Sequence, residues 1–106
     1  MNNSNNTAEC ITVEYRGTEM FKVSETLSTE TEYRTMKIKG KCLPAEYKVT
    51  FFDFDKTMKV SVRGKATGLE GVSKVPKKVF KTPGQKRAII SDKSGKFIGI
   101  MFFNVE

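Results

Sequence analysis

The stretch Glu46-Tyr47-Lys48-Val49-Thr50-Phe51-Phe52-Asp53-Phe54-Asp55-Lys56-Thr57-Met58-Lys59-Val60-Ser61-Val62-Arg63 decides the fold class. Tyr47, Val49 and Phe51 alternate with other residues on its first arm, and Met58, Val60 and Val62 do so on its second. A period of two marks a half-buried strand. If Asp55-Lys56 is a two-residue turn, Phe51 faces Val60 and Val49 faces Val62, and these apolar residues share one side. The other side then carries Lys48, Thr50, Phe52, Phe54, Thr57, Lys59, Ser61 and Arg63. Asp-Lys is not the preferred Asn-Gly or Asp-Gly pair, so a longer loop or a bulge stays open. Either would change the face that Phe52 and Phe54 occupy.

Outward from this hairpin the same period recurs. Cys10–Arg16 places Ile11, Val13 and Tyr15 on one face, and Gly17-Thr18 breaks the run. Met20–Ser24 reads as a strand, although Met20, Val23 and Leu27 also suit a short helix. Ser24–Thr35 reads as a long polar connection, Arg34–Lys39 as a strand, and Gly40 to Pro44 as a turn. Gly64 to Gly71, with three glycines, reads as a loop. Val72–Lys81 is an edge strand interrupted by Pro76, or a short helix capped by Ser73 with Val75 and Val79 inward. Thr82-Pro83-Gly84-Gln85 matches a type II turn, and Lys86–Ser91 a strand. Asp92-Lys93-Ser94-Gly95 is a hairpin turn with Gly95 suited to the left-handed position. Phe97–Val105 is apolar on both faces, which suggests a central, fully covered strand.

These segments predict an all-β fold with at most one short helix: a small antiparallel barrel, OB-like or SH3-like, or a sandwich, with six to eight strands. The chain has 106 residues, room for one core. Residues 10–106 read as a single domain and residues 1–9 as a disordered leader. The leader has neither the basic nor the apolar region of a signal peptide. Its two glycosylation sequons, Asn2-Asn3-Ser4 and Asn5-Asn6-Thr7, fit the bias of an Asn/Ser/Thr-rich tail. Cys10 and Cys42 are too few for a zinc site and are expected to be buried or half-buried thiols, in a cytoplasmic setting. No run approaches the ~18 apolar residues of a membrane-spanning helix.

Charge is the main compositional signal. The net charge is +7, but residues 1–55 carry 7 basic and 9 acidic side chains, whereas residues 56–96 carry 12 basic and 2 acidic. So basic a window suits a polyanion, or is a solvated face that keeps strand edges apart. The chain has no His, which excludes Ser-His-Asp and Cys-His catalysis and His-ligated metals. No cofactor is expected, and no enzyme activity.

Val49-Thr50-Phe51-Phe52-Asp53-Phe54-Asp55-Lys56-Thr57 resembles the first motif of the haloacid dehalogenase-type phosphatases, an apolar strand followed by Asp-x-Asp-x-Thr. The resemblance covers nine residues. It implies Asp53 as phosphoryl-accepting nucleophile, Asp55 as acid/base, and Mg²⁺ beside them. It also implies a parallel sheet with crossover helices, whereas Met58–Val62 alternates as a strand and Asp92 stands alone where a later acidic pair is required. Gly95-Lys96-Phe97 lacks the hydroxyl and upstream glycine of a phosphate loop. Gly64, Gly68 and Gly71 miss the dinucleotide spacing. Lys96–Phe103 lacks the glycine and two of the aromatics of the RNA-contacting strand of RRM domains.

One constellation remains. On the non-core face of the hairpin, Phe52 and Phe54 would lie among Lys48, Lys59 and Arg63, a stacking platform for single strands. Lys77, Lys78, Lys81, Lys86 and Arg87 would extend the cationic track. A second layer over this face would instead bury both aromatics. The function expected is a non-enzymatic module that binds nucleic acid, single-stranded and with little sequence preference. The alternative is a small protein-interaction module, an inhibitor or assembly subunit, that engages an acidic or nucleic-acid-mimicking surface.

Overall fold

A computed structural model of the chain describes residues 11–15, 18–19, 25–29, 35–55 and 57–106. The leader and Met20–Ser24 lie outside the described residues. Nine strands follow in chain order: β1 (Ile11–Tyr15), β2 (Thr18–Glu19), β3 (Glu25–Leu27), β4 (Thr35–Gly40), β5 (Glu46–Asp53), β6 (Lys59–Thr67), β7 (Glu70–Lys74), β8 (Gly84–Asp92) and β9 (Phe97–Val105). A single 3-10 turn, Lys77–Phe80, is the sole helical element among the described residues. The strands pair in the order β2-β1-β4-β7-β6-β5-β8-β9-β3. Each described pairing is antiparallel except that of β3 with β9. The fold is thus nearly all-β, a curled sheet of the kind expected for a small barrel. No helix among the described residues is long and apolar enough to cross a membrane.

Alternation builds the core. Met36 and Ile38 of β4, Tyr47, Val49 and Phe51 of β5, Ala88 and Ile90 of β8, and Met101, Phe103 and Val105 of β9 form one buried cluster. The β5–β6 register is the expected one, with Phe51 opposite Val60 and Val49 opposite Val62. Strand β6 makes the corner of the sheet. Its residues 59–65 pair with β5, and Ala66 and Thr67 pair with β7.

Tyr47 fills this corner. Its hydroxyl lies 2.6 Å from Ser73 Oγ, across the core on β7, in a buried hydrogen bond. Burial pushes its phenol above the ordinary value, with the Ser73 bond acting the other way. Gly64 and Gly71 make the room: a Cβ at Gly64 would collide with Tyr47 Cζ, and one at Gly71 with Tyr47 Oη. Gly64–Gly71 is therefore not a loop but parts of two strands, joined at Gly68-Leu69. Both turn residues have positive φ, 63° and 68°, as a two-residue type I′ hairpin requires.

Other expectations also change. The polar connection 24–35 contains β3, whose three residues Glu25-Thr26-Leu27 are too few and too polar to alternate visibly. Val72–Lys81 joins a strand to a helical turn, but the strand lies between β4 and β6 rather than at an edge. It is strand to Lys74, then Pro76 precedes the 3-10 turn, with Val75, Val79 and Phe80 buried. Ser73 caps nothing, since its hydroxyl meets Tyr47. Cys42 is exposed and disulfide-bonded rather than the buried or half-buried thiol expected there. The sequence holds one other cysteine, Cys10, outside the described residues. Strand β9 is covered on one face alone: Phe97 and Phe102 remain 48% and 43% exposed. It pairs fully with β8, but its other neighbour, β3, is three residues long.

Candidate nucleic-acid interface

Residues opposite one another in a ladder share a face, so the registers of β6, β5, β8 and β9 define the outer surface row by row. The first row reads Lys59, Phe52, Arg87, Phe102, with cation and aromatic alternating across four strands. Lys59 Nζ stands 5.8 Å from the centroid of the Phe52 ring, within reach of a cation–π contact. The second row reads Ser61, Thr50, Ile89, Ile100. The Ser61 and Thr50 hydroxyls hydrogen-bond at 2.9 Å and satisfy each other on an otherwise apolar line. The third row reads Arg63, Lys48, Ser91, Phe97.

This face is not sealed. Lys59, Arg63, Phe97 and Phe102 are exposed, and Lys48, Phe52, Arg87, Ile89 and Ile100 are half-buried. Phe54, in the turn after β5, is 73% exposed. Beyond the third row the face opens into a cleft of about 530 Å³, lined by Lys48, Arg63, Lys65, Lys93, Tyr47 and Val72 together with Glu46 and Gly64. Glu46 offsets one of the four cations, through an ion pair with Lys93 at 3.6 Å.

The expected residues divide. Lys48, Phe52, Lys59, Arg63 and Arg87 come together in the rows, with Phe54 in the turn beyond. Lys77, Lys78 and Lys81 lie on the segment between β7 and β8, exposed around the 3-10 turn that buries Val79 and Phe80 in the core. The structure does not bring them into the rows. Lys86 is fully buried, in phase with Ala88 and Ile90, and its Nζ donates to Thr82 Oγ1 at 2.7 Å. It belongs to the core side of β8 rather than to the cationic track. Four residues join the face that the sequence reading did not select: Lys65, Lys93, Phe97 and Phe102. Lys65 was legible, since it keeps phase with Lys59 and Arg63 once β6 is carried through Gly64.

The acidic turn has a structural occupation. Asp53 accepts hydrogen bonds from Met58 N at 3.1 Å and Thr57 Oγ1 at 2.9 Å. Asp55 Oδ1 accepts from Thr57 N at 3.1 Å and lies 2.8 Å from Thr57 Oγ1, so the two carboxylates share that hydroxyl's one proton. The Met58 amide is the largest influence that holds the Asp53 carboxyl below its ordinary value; burial, the next largest, opposes it, and the Thr57 hydroxyl, Asp55 and the charge of Lys86 add to the lowering. Strand β6 then runs back antiparallel to β5, whereas the phosphatase resemblance implies a parallel sheet with crossover helices. Asp92 organises the β8–β9 turn in the same way. Its Oδ1 accepts from Ser94 Oγ, Lys96 N and Ser94 N at 2.7, 2.8 and 2.9 Å. The Ser94 hydroxyl, then the Lys96 amide, hold its carboxyl below the ordinary value. Gly95 has φ 96° in that turn, as expected.

No protein-family model and no curated protein matches the chain.

Proposed function

We propose that the chain is a non-enzymatic binding module for nucleic acid, which takes single strands with little sequence preference on the outer face of β6, β5, β8 and β9. The observation that carries this reading is the row Lys59, Phe52, Arg87, Phe102, in which one exposed and one half-buried aromatic ring stand beside cations. Each base stacked on an aromatic contributes ~1–3 kcal/mol, and every base has a π-face, so such a row discriminates little between sequences. Cations alongside bind phosphates and release counterions. The disulfide at Cys42 favours an oxidising compartment over a cytoplasmic one.

Fluorescence anisotropy of a labelled oligonucleotide across a salt series tests this. Each phosphate neutralised contributes ~0.7 to the slope of log affinity against log salt for a single strand. Contacts by Lys48, Lys59, Arg63, Lys65 and Arg87 would give a slope of about −3 to −4. No binding at low salt, or affinity indifferent to salt, overturns the reading.

One observation favours a second reading, a protein-interaction module. Ile89, Ile100, Phe102 and Phe97 form an apolar half of the same face. An inhibitor or assembly subunit would set such a patch against a partner whose rim is acidic. A complex that survives nuclease treatment would support it.

A further inference from the structure

The outer face is two surfaces side by side. On the β6 flank, Lys59, Arg63 and Lys65 line up along one strand, with Lys48 beside them on β5. On the β8–β9 flank, Ile89, Ile100 and Phe102 cluster, with Arg87 as the one cation in these rows. Over residues 59–65, β6 pairs with no described strand on its other side, so its cations stand along an unpaired border.

We infer that a bound single strand lies along β5 and β6 with its phosphates over the β6 cations and its bases turned across β5 onto β8 and β9. This rests on the nucleic-acid reading above and adds a direction and a length to it. The reverse placement would set phosphates over Ile89 and Ile100, away from water and without counter-charge, and leave the open ring of Phe102 without a base. Both are unfavourable. The face from β6 to β9 is three strand spacings wide, ~14 Å. Lys59 to Lys65 spans six residues, ~20 Å of strand. A stacked strand carries one phosphate per ~3.4 Å, so the track holds about six nucleotides, and about half that number if the strand is extended. The basic cleft of Lys48, Arg63, Lys65 and Lys93 closes the track at one end.

The test crosses protein variants with altered oligonucleotides. Six-nucleotide strands, normal and abasic, are titrated with the wild-type chain, Phe102→Ala and Arg63→Ala, and the thermal midpoint of each variant confirms that it folds. Phe102→Ala is expected to weaken the normal strand about 5- to 150-fold, leave the abasic strand unchanged, and leave the salt slope unchanged. Arg63→Ala is expected to reduce the salt slope by ~0.7 with both strands alike. Lengthening the strand beyond about six nucleotides is expected to add little affinity. Equal loss on normal and abasic strands in Phe102→Ala, or a salt slope lowered by that variant, overturns the orientation while the parent reading stands. A wild-type chain that binds neither strand overturns both, and is the result the protein-partner reading expects.

Discussion

Tyr47 and Phe52 stand five residues apart on β5, on opposite faces, and their rings meet opposite surroundings. Tyr47 enters a slot floored by Gly64 and Gly71 and closed by Ser73. Phe52 lies among Lys59, Arg87 and open solvent. Strand geometry put the two rings on different faces, but it did not decide which face would be covered. That was decided across the corner of the sheet, where two missing side chains on β6 and β7 let Tyr47 close the inner layer. The outer face received no such partner among the described residues. A strand of this kind has one side packed for stability and one side left partly open.

Substitutions on the two sides should separate these roles. Phe51→Ala removes a fully buried ring and is expected to cost ~3–5 kcal/mol in urea unfolding. Phe52→Ala, its neighbour on the outer face, is expected to cost about 1 kcal/mol or less in the same assay while it weakens binding of a single strand by the stacking of one base. Comparable losses from both would break the contrast. Gly71→Ala forces a methyl against the Tyr47 hydroxyl and is expected to cost ~1–3 kcal/mol. Combining it with Tyr47→Phe should restore part of that loss, since the atom first struck is gone, and a double-mutant cycle reads the coupling.

A smaller effect is expected at the β6–β7 turn, which touches neither ring. Leu69 holds a left-handed conformation that costs a non-glycine residue ~1–2 kcal/mol. Leu69→Gly should therefore raise stability by about 0.5–1 kcal/mol, part of the relief being offset by a more flexible unfolded chain. The smallest effect concerns acid. Asp53 and Asp92 have lowered folded pKa values, so their contribution is fully present above the ordinary carboxylate value near ~4 and fades as pH falls through the lowered ones. Asp92→Asn should flatten the acid limb of the stability profile below about pH 4 and leave strand binding at pH 7 unchanged.

Much of the fold was legible because alternation is local. The β5–β6 register followed from where Val49, Phe51, Val60 and Val62 fall, and the Asp92–Gly95 turn from its own residues. What was not legible depended on a distant partner. Gly64 and Gly71 suggest a loop until Tyr47 is placed between them. Glu25-Thr26-Leu27 becomes a strand through the open edge of β9. The candidate face was half legible for the same reason. Lys48, Phe52, Lys59 and Arg63 follow from the hairpin, whereas Phe97 and Phe102 were hidden in a strand apolar enough to suggest burial on both sides. Lys86 is the converse case. Its phase with Ala88 and Ile90 points inward, but the cluster of neighbouring lysines suggested a surface site.

The slot around Tyr47 has one practical consequence. The chain contains no tryptophan and three tyrosines, so its near-ultraviolet absorbance and intrinsic emission belong chiefly to phenol rings. One of those rings sits at the corner where the two halves of the sheet meet. Its ionisation is delayed by burial, so an alkaline titration should show a late phenolate step that vanishes when the corner opens. The protein therefore carries a built-in optical gauge of its own closure, and needs no added label to be read.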